Sequence, residues 1–98
     1  MANVLGGGFE RWDTASTASR HSNAKVAKIV VDCPAASAGG VVELREGGVA
    51  GLIWYTRTVF PGESITFDYS AGGKWFDRLA ATGAGMGANG TTVLVQYA

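Results

Sequence analysis

The chain is poor in the residues that most often carry chemistry. One histidine, one cysteine and two prolines stand among 98 residues. A single cysteine, Cys33, excludes an intramolecular disulfide and a site built from several thiolates. The one histidine, His21, lies in a small polar stretch, so a Ser-His-Asp or Cys-His arrangement would need that stretch to carry it to a remote nucleophile. It reads as an exposed histidine. An excess of charge is also lacking: eight basic and eight acidic residues cancel, which argues against nucleic-acid binding, where clustered Lys and Arg are needed for phosphates. Lys25 and Lys28 come nearest to a basic patch and read as a solvated strand face. No apolar run approaches the roughly 18 residues of a membrane span, so no membrane partner is expected. The opening Met-Ala-Asn-Val-Leu-Gly-Gly-Gly has neither the basic start nor the apolar core of a signal peptide. Synthesis in the cytoplasm is expected, with the product staying there or leaving inside something larger.

What the chain does have is short β-type runs separated by glycine. A domain of this length buries only about 60 to 65% of its unfolded surface, so its core is thin. Lys25 to Asp32 predicts a strand with Ala27, Ile29 and Val31 on the core side, ended by Cys33-Pro34 because proline cannot donate to a ladder. Val41 to Arg45 predicts a second, with Val42 and Leu44 alternating against Glu43 and Arg45. Glu46-Gly47-Gly48 supplies the positive φ of a hairpin turn, and the return strand Val49 to Tyr55 is apolar enough to be central. Phe60-Pro61-Gly62-Glu63 has the form of a type II turn. Ser64 to Tyr69 alternates cleanly, with Ile65, Phe67 and Tyr69 on one face. Lys74 to Ala81 fits a strand better than a short helical turn, and a flexible loop at Thr82 to Gly90 precedes a closing strand, Thr91 to Tyr97. No connection is long enough for a crossover helix. The expected fold is therefore all-β, a small antiparallel β-sandwich or jelly-roll-like domain over residues 25–98.

Residues 1–24 differ from the rest. Gly6 to Gly8, then Phe9 and Trp12, then the run from Asp13 to Arg20 offer little to bury, and read as an extended N-terminal arm with a short strand around Phe9 to Thr14. Phe9, Arg11, Trp12 and Arg20 are its candidate partner-binding residues. For Phe9 and Trp12 two readings stand side by side, an anchor on a neighbouring subunit or a cap on the domain's own core.

No residue set predicts catalysis, a cofactor or a metal. Gly85-Met86-Gly87-Ala88-Asn89-Gly90 matches the dinucleotide fingerprint by letter, yet a β-type run follows it, so no helix N-terminus is there to hold a pyrophosphate. Asp32, Glu63, Asp68 and Asp77 show no oxygen-ligand loop spacing. Trp54, Tyr55, Trp75 and Phe76 would suit a sugar-stacking platform, but large aromatics in so small a domain belong more often to the core.

Leu44-Arg45-Glu46-Gly47-Gly48, Ile53-Trp54-Tyr55, Pro61-Gly62-Glu63, Ile65-Thr66-Phe67, Trp75-Phe76-Asp77 and Thr92 to Tyr97 together resemble the small β-sandwich virion proteins of tailed bacteriophages. The resemblance spans residues 40–97 and is one of pattern. It departs at Arg78, where glycine is common, and in the longer Thr82 to Gly90 loop. It implies a non-enzymatic capsid decoration or cement protein in the virion, with the major capsid protein or other virion proteins as partners. It also implies a homo-oligomer, a trimer favoured, and an arm that reaches an adjacent protomer or capsomer. A neck or tail component, or a module binding glycan or a host surface, are the alternatives.

Overall fold

The computed structural model describes residues 4–5 by their backbone and residues 8–19, 21–69 and 72–98 in full. Ten strands are described: β1 (Val4–Leu5), β2 (Phe9–Trp12), β3 (Thr17–Ala18), β4 (Ala24–Asp32), β5 (Gly40–Glu46), β6 (Leu52–Val59), β7 (Ser64–Asp68), β8 (Lys74–Phe76), β9 (Leu79–Thr82) and β10 (Thr92–Tyr97). They form two antiparallel sheets. One runs β1-β2-β10-β4-β7, with β8 also pairing with β4; the other runs β3-β9-β5-β6. The all-β sandwich is thus the observed architecture.

The core is what the alternating residues of both sheets bury between them. Trp12, Ile29, Val31, Val93 and Val95 come from the larger sheet and Val42, Leu44, Leu79 and Ala81 from the smaller. Val42 and Leu44 point inward as their alternation requires, and so do Ile29 and Val31. In the first half of β4 the core side differs from the expectation: Val26 is buried and Ala27 is only half-buried. The cause is a bulge. Gln96 pairs with Lys28 but Tyr97 pairs with Val26, so Ala27 is an extra residue and the faces exchange there.

The turns follow glycine closely. Gly62 has φ 87°, and the Glu63 amide donates to the Phe60 carbonyl at 3.0 Å, closing the expected turn. The segment at Lys74 to Ala81 is two strands rather than one, β8 in the larger sheet and β9 in the smaller, joined through Arg78 at φ 49°. A left-handed residue at the crossing is what glycine provides most easily. Here Arg78 holds it while its guanidinium donates to the Ser19 carbonyl at 3.1 Å. The stretch expected as a flexible loop is fastened: the Gly85 amide donates to the Val41 carbonyl at 2.8 Å, and Ala38 and Gly39 donate to the Asn89 carbonyl at 3.1 Å. Gly83 sits at φ 121° against β5, where a Cβ would collide with the Val41 carbonyl. The fingerprint-like glycines run through a 3-10 turn, Gly87–Asn89, and on into β10.

Two expectations are corrected. Over its described residues, the 1–24 segment is woven into the sandwich instead of standing apart from it. β2 lies between β1 and β10, β3 pairs with β9, and β4 begins at Ala24. Its polar composition hid this, because β2 needs only Trp12 and Glu10 on its inner face. The second concerns the apolar hairpin strand, which is the edge of its sheet and not the centre; β5 is central, between β6 and β9. That strand also starts later, at Leu52, because the hairpin loop takes Gly47 to Gly51.

Candidate interaction surface at the open sheet edge

Strand β6 carries a run of four apolar residues, Leu52-Ile53-Trp54-Tyr55, which strict alternation cannot place on one face. A bulge resolves it: Leu44 pairs with Tyr55 but Arg45 with Ile53, leaving Trp54 extra. Trp54 and Tyr55 consequently both pack inward. Trp54 meets Phe67 edge-on with centroids 5.5 Å apart and lies 5.5 Å from Phe76; Tyr55 meets Phe67 at 4.9 Å. Tyr69 and Phe76 continue the contact at 5.9 Å. Three of these contacts are edge-to-face at spacings favourable for aromatic pairs, and Trp54 and Phe76 are tilted by 30°. Half-buried Trp54, Tyr55, Phe67 and Tyr69 form a seam over the buried Phe76, where β6 and β7, the last strands of their sheets, face each other.

One corner of the seam is closed by charge. Arg57 reaches Glu63 at 2.8 Å, and the other oxygen of Glu63 accepts the Phe60 amide at 2.7 Å. Elsewhere Lys74 lays its ammonium 5.8 Å from the Tyr69 ring and 5.5 Å from Phe76. Burial against these rings lifts the Tyr69 phenol above its ordinary value of 10.0.

The outer side of β6 is open. Among the described residues no strand pairs with it, so a row of backbone donors and acceptors faces outward over eight residues. Leu52 is 82% exposed and Ile53 44%, with Val49 beside them in the hairpin loop and Phe60 exposed past the other end. Edge strands that avoid pairing carry lysine, proline or inward charges. In β6 the one charge is Arg57, already engaged by Glu63.

The residues singled out from sequence lie elsewhere and are not gathered. Phe9 and Arg11 share the outer face of the larger sheet, Phe9 39% exposed and Arg11 3.5 Å from Asp13. Trp12 points the opposite way and is fully buried, so of its two readings the core is the one realised and it offers nothing to a partner on the folded domain. Arg20 lies outside the described residues. His21 is exposed and sits edge-on to Tyr97 at 4.9 Å. Of the aromatics weighed as a sugar platform, Trp54, Tyr55 and Phe76 belong to the seam, and Trp75 alone is an exposed large ring. Leu52 and Ile53 were missed because an apolar run reads as buried; two neighbours on opposite faces of one strand were the signal.

No protein-family model and no curated protein matches the chain. Among solved structures it is similar to a protein of Bacillus endospore appendages, described as a novel family of disulfide-linked pili. The two share 21% identity over 91% of this chain and 81% of that one, with a TM-score of 0.49.

Proposed function

We propose that this chain is a non-enzymatic structural subunit that associates with further copies of itself along β6. The observation that carries the reading is the open eight-residue edge with Leu52 and Ile53 exposed on it. An edge of this kind gains both main-chain hydrogen bonds and apolar burial when a second strand adds to it. A thin core makes that association useful, since any partner that binds only the folded state stabilises it by mass action. The seam behind the edge is already packed and braced by Arg57 and Glu63, so the strand is held in shape before a partner arrives.

The narrower form of the reading is a decoration or cement protein on the head of a tailed bacteriophage, assembled as a trimer and held to the major capsid protein. It rests on the sequence pattern of residues 40–97, and a neck or tail position satisfies the same pattern. In this form, too, the partner meets β6; the buried Trp12 takes no part.

The test is the mass in solution of the full chain against the double variant Leu52→Glu/Ile53→Lys, measured by light scattering over a range of concentrations. Growth of the wild-type mass with concentration and its loss in the variant is the expected result. A wild-type chain whose mass is unchanged by the double substitution sinks the edge reading. Co-sedimentation with assembled phage heads then decides the narrower form.

A further inference from the structure

The main chain of β6 directs its outward hydrogen-bonding groups from particular residues. The Gly85 amide, just past β9, donates to the Val41 carbonyl at 2.8 Å, so the main chain of Val41 is turned to the β9 side of β5. Along a strand these groups point to alternate sides, one residue to one neighbour and the next to the other. Glu43 and Arg45 are therefore turned to β9, and Val42 and Leu44 to β6, where they stand opposite Arg57 and Tyr55. Arg57 and Tyr55 give their main-chain groups to β5. Thr56 and Thr58, between and beyond them, direct theirs outward.

A second β6 can meet this edge about a two-fold axis perpendicular to the sheet. The strands then run antiparallel and every side chain keeps its face, so residues that direct their main chain outward must stand opposite one another. Few registers satisfy that. An axis at Tyr55 or Thr56 sets a threonine against Trp54, the bulged residue, where the alternation breaks. An axis at Thr58 or Val59 sets one against Phe60, whose amide donates to the Glu63 carboxylate at 2.7 Å and whose carbonyl accepts the Glu63 amide at 3.0 Å. An axis at Arg57 sets Thr56 against Thr58 on both sides of it. Each such pair exchanges two hydrogen bonds, within the regular stretch 55–59.

The side chains agree with that register. Its ends bring Leu52 and Ile53 of each copy towards Phe60 of the other, and these are the exposed apolar residues at the two ends of the edge, Phe60 being 60% exposed. The bulge takes one residue out of the count, so Ile53 rather than Trp54 arrives opposite Phe60. At the axis Arg57 meets its own copy. Like charges directly opposite each other destabilise a sheet, but each Arg57 brings Glu63 with it at 2.8 Å, so two neutral pairs meet. The contact is isologous and closes after two copies.

We propose that two copies of the chain pair antiparallel through β6 about a two-fold axis at Arg57, Thr56 of each bonded to Thr58 of the other. The smaller sheet then runs on without a break from one copy into its partner. This rests on the association along β6 proposed above and gives it a partner strand, a register and an end point. The edge is used up by two copies, so a trimer would have to be built on other surfaces.

The experiment is a cysteine scan of the full chain under mild oxidation, read on non-reducing gels, with mass by sedimentation velocity alongside. Across the axis the two Arg57 Cα atoms lie about 4.5 Å apart, a non-hydrogen-bonded pair, within disulfide reach. Thr56 and Thr58 each lie roughly 8 Å from their own copies, two residues along and one strand across, which is out of reach. Arg57→Cys should therefore link, while Thr56→Cys and Thr58→Cys should each fail alone and link when the two are mixed. All three positions are exposed, so the fold should persist, checked by circular dichroism. The wild-type chain, whose Cys33 is buried, is the unlinked control. Linking of Thr56→Cys or Thr58→Cys by itself overturns the register, and a mass above two subunits overturns the closure. If the wild-type mass grows with concentration and Leu52→Glu/Ile53→Lys abolishes that growth, yet no cysteine links, the edge reading stands and this pairing falls, β6 meeting a different strand. A wild-type mass that stays at one subunit sinks both.

Discussion

The two flanks of the sandwich solve one problem in opposite ways. On the flank of β2 and β3 the chain itself crosses between the sheets, with Trp12 fully buried at the crossing. Glu10 is buried beside it and accepts the Tyr97 hydroxyl at 2.6 Å, while Ser19 shares that hydroxyl and its amide donates to the Leu79 carbonyl at 2.7 Å. On the β6 and β7 flank the same job falls to half-buried rings and one salt bridge. The first flank fastens the two sheets together through the chain itself; at the second, no described strand covers the outer side of β6.

The difference is sharpest when the two tryptophans are cut. Trp12→Ala should destabilise by about 3–5 kcal/mol, the range for truncating a buried large aromatic, measured by denaturant unfolding. Trp54→Ala should cost about half of that or less, because part of its ring already meets solvent. Equal losses would break the distinction between the flanks. Trp12→Phe sharpens it further: among the described residues the Trp12 indole N–H has no hydrogen-bond partner, so phenylalanine removes a buried donor that costs free energy and should lose less than alanine does.

Next in size is the polar bridge of the sealed flank. Tyr97→Phe keeps the ring and removes the hydroxyl that joins Glu10 to Ser19. Hydrogen bonds to charged groups are worth about 1.5–3 kcal/mol, and a loss in that range is expected by the same unfolding measurement. A loss near zero would mean that the flank is held by packing alone.

How far the sequence showed this division depends on which rule each residue obeys. Ile65, Phe67 and Tyr69 alternate and were legible; so was the turn at Pro61-Gly62, where φ must be positive. The open edge was not, because strand order depends on long-range pairing that local pattern does not encode, and Leu52-Ile53-Trp54-Tyr55 imitates a central strand when a bulge lets two neighbours face inward. The place of Trp12 stayed open between core and partner for the converse reason. A short strand flanked by Gly8 and by the Asp13 to Ser19 run looks like an arm, although one large side chain and a ladder to β10 are enough to hold it.

The smallest effect belongs to the open flank and appears in alkali. Tyr69 has its phenol raised by burial, so the folded state holds the proton longer than the unfolded chain does. A group whose folded value is raised contributes stability that is complete below its unfolded value, here about pH 10, and that is lost as pH rises through the folded one. Wild-type stability should therefore fall more steeply than that of Tyr69→Phe above pH 10, while the two respond alike to pH below it. The ring of Tyr69 is only half-buried, so the divergence should be modest. Parallel curves through the alkaline range would mean that water already reaches the ring, and the seam would then be more open than its aromatic contacts imply.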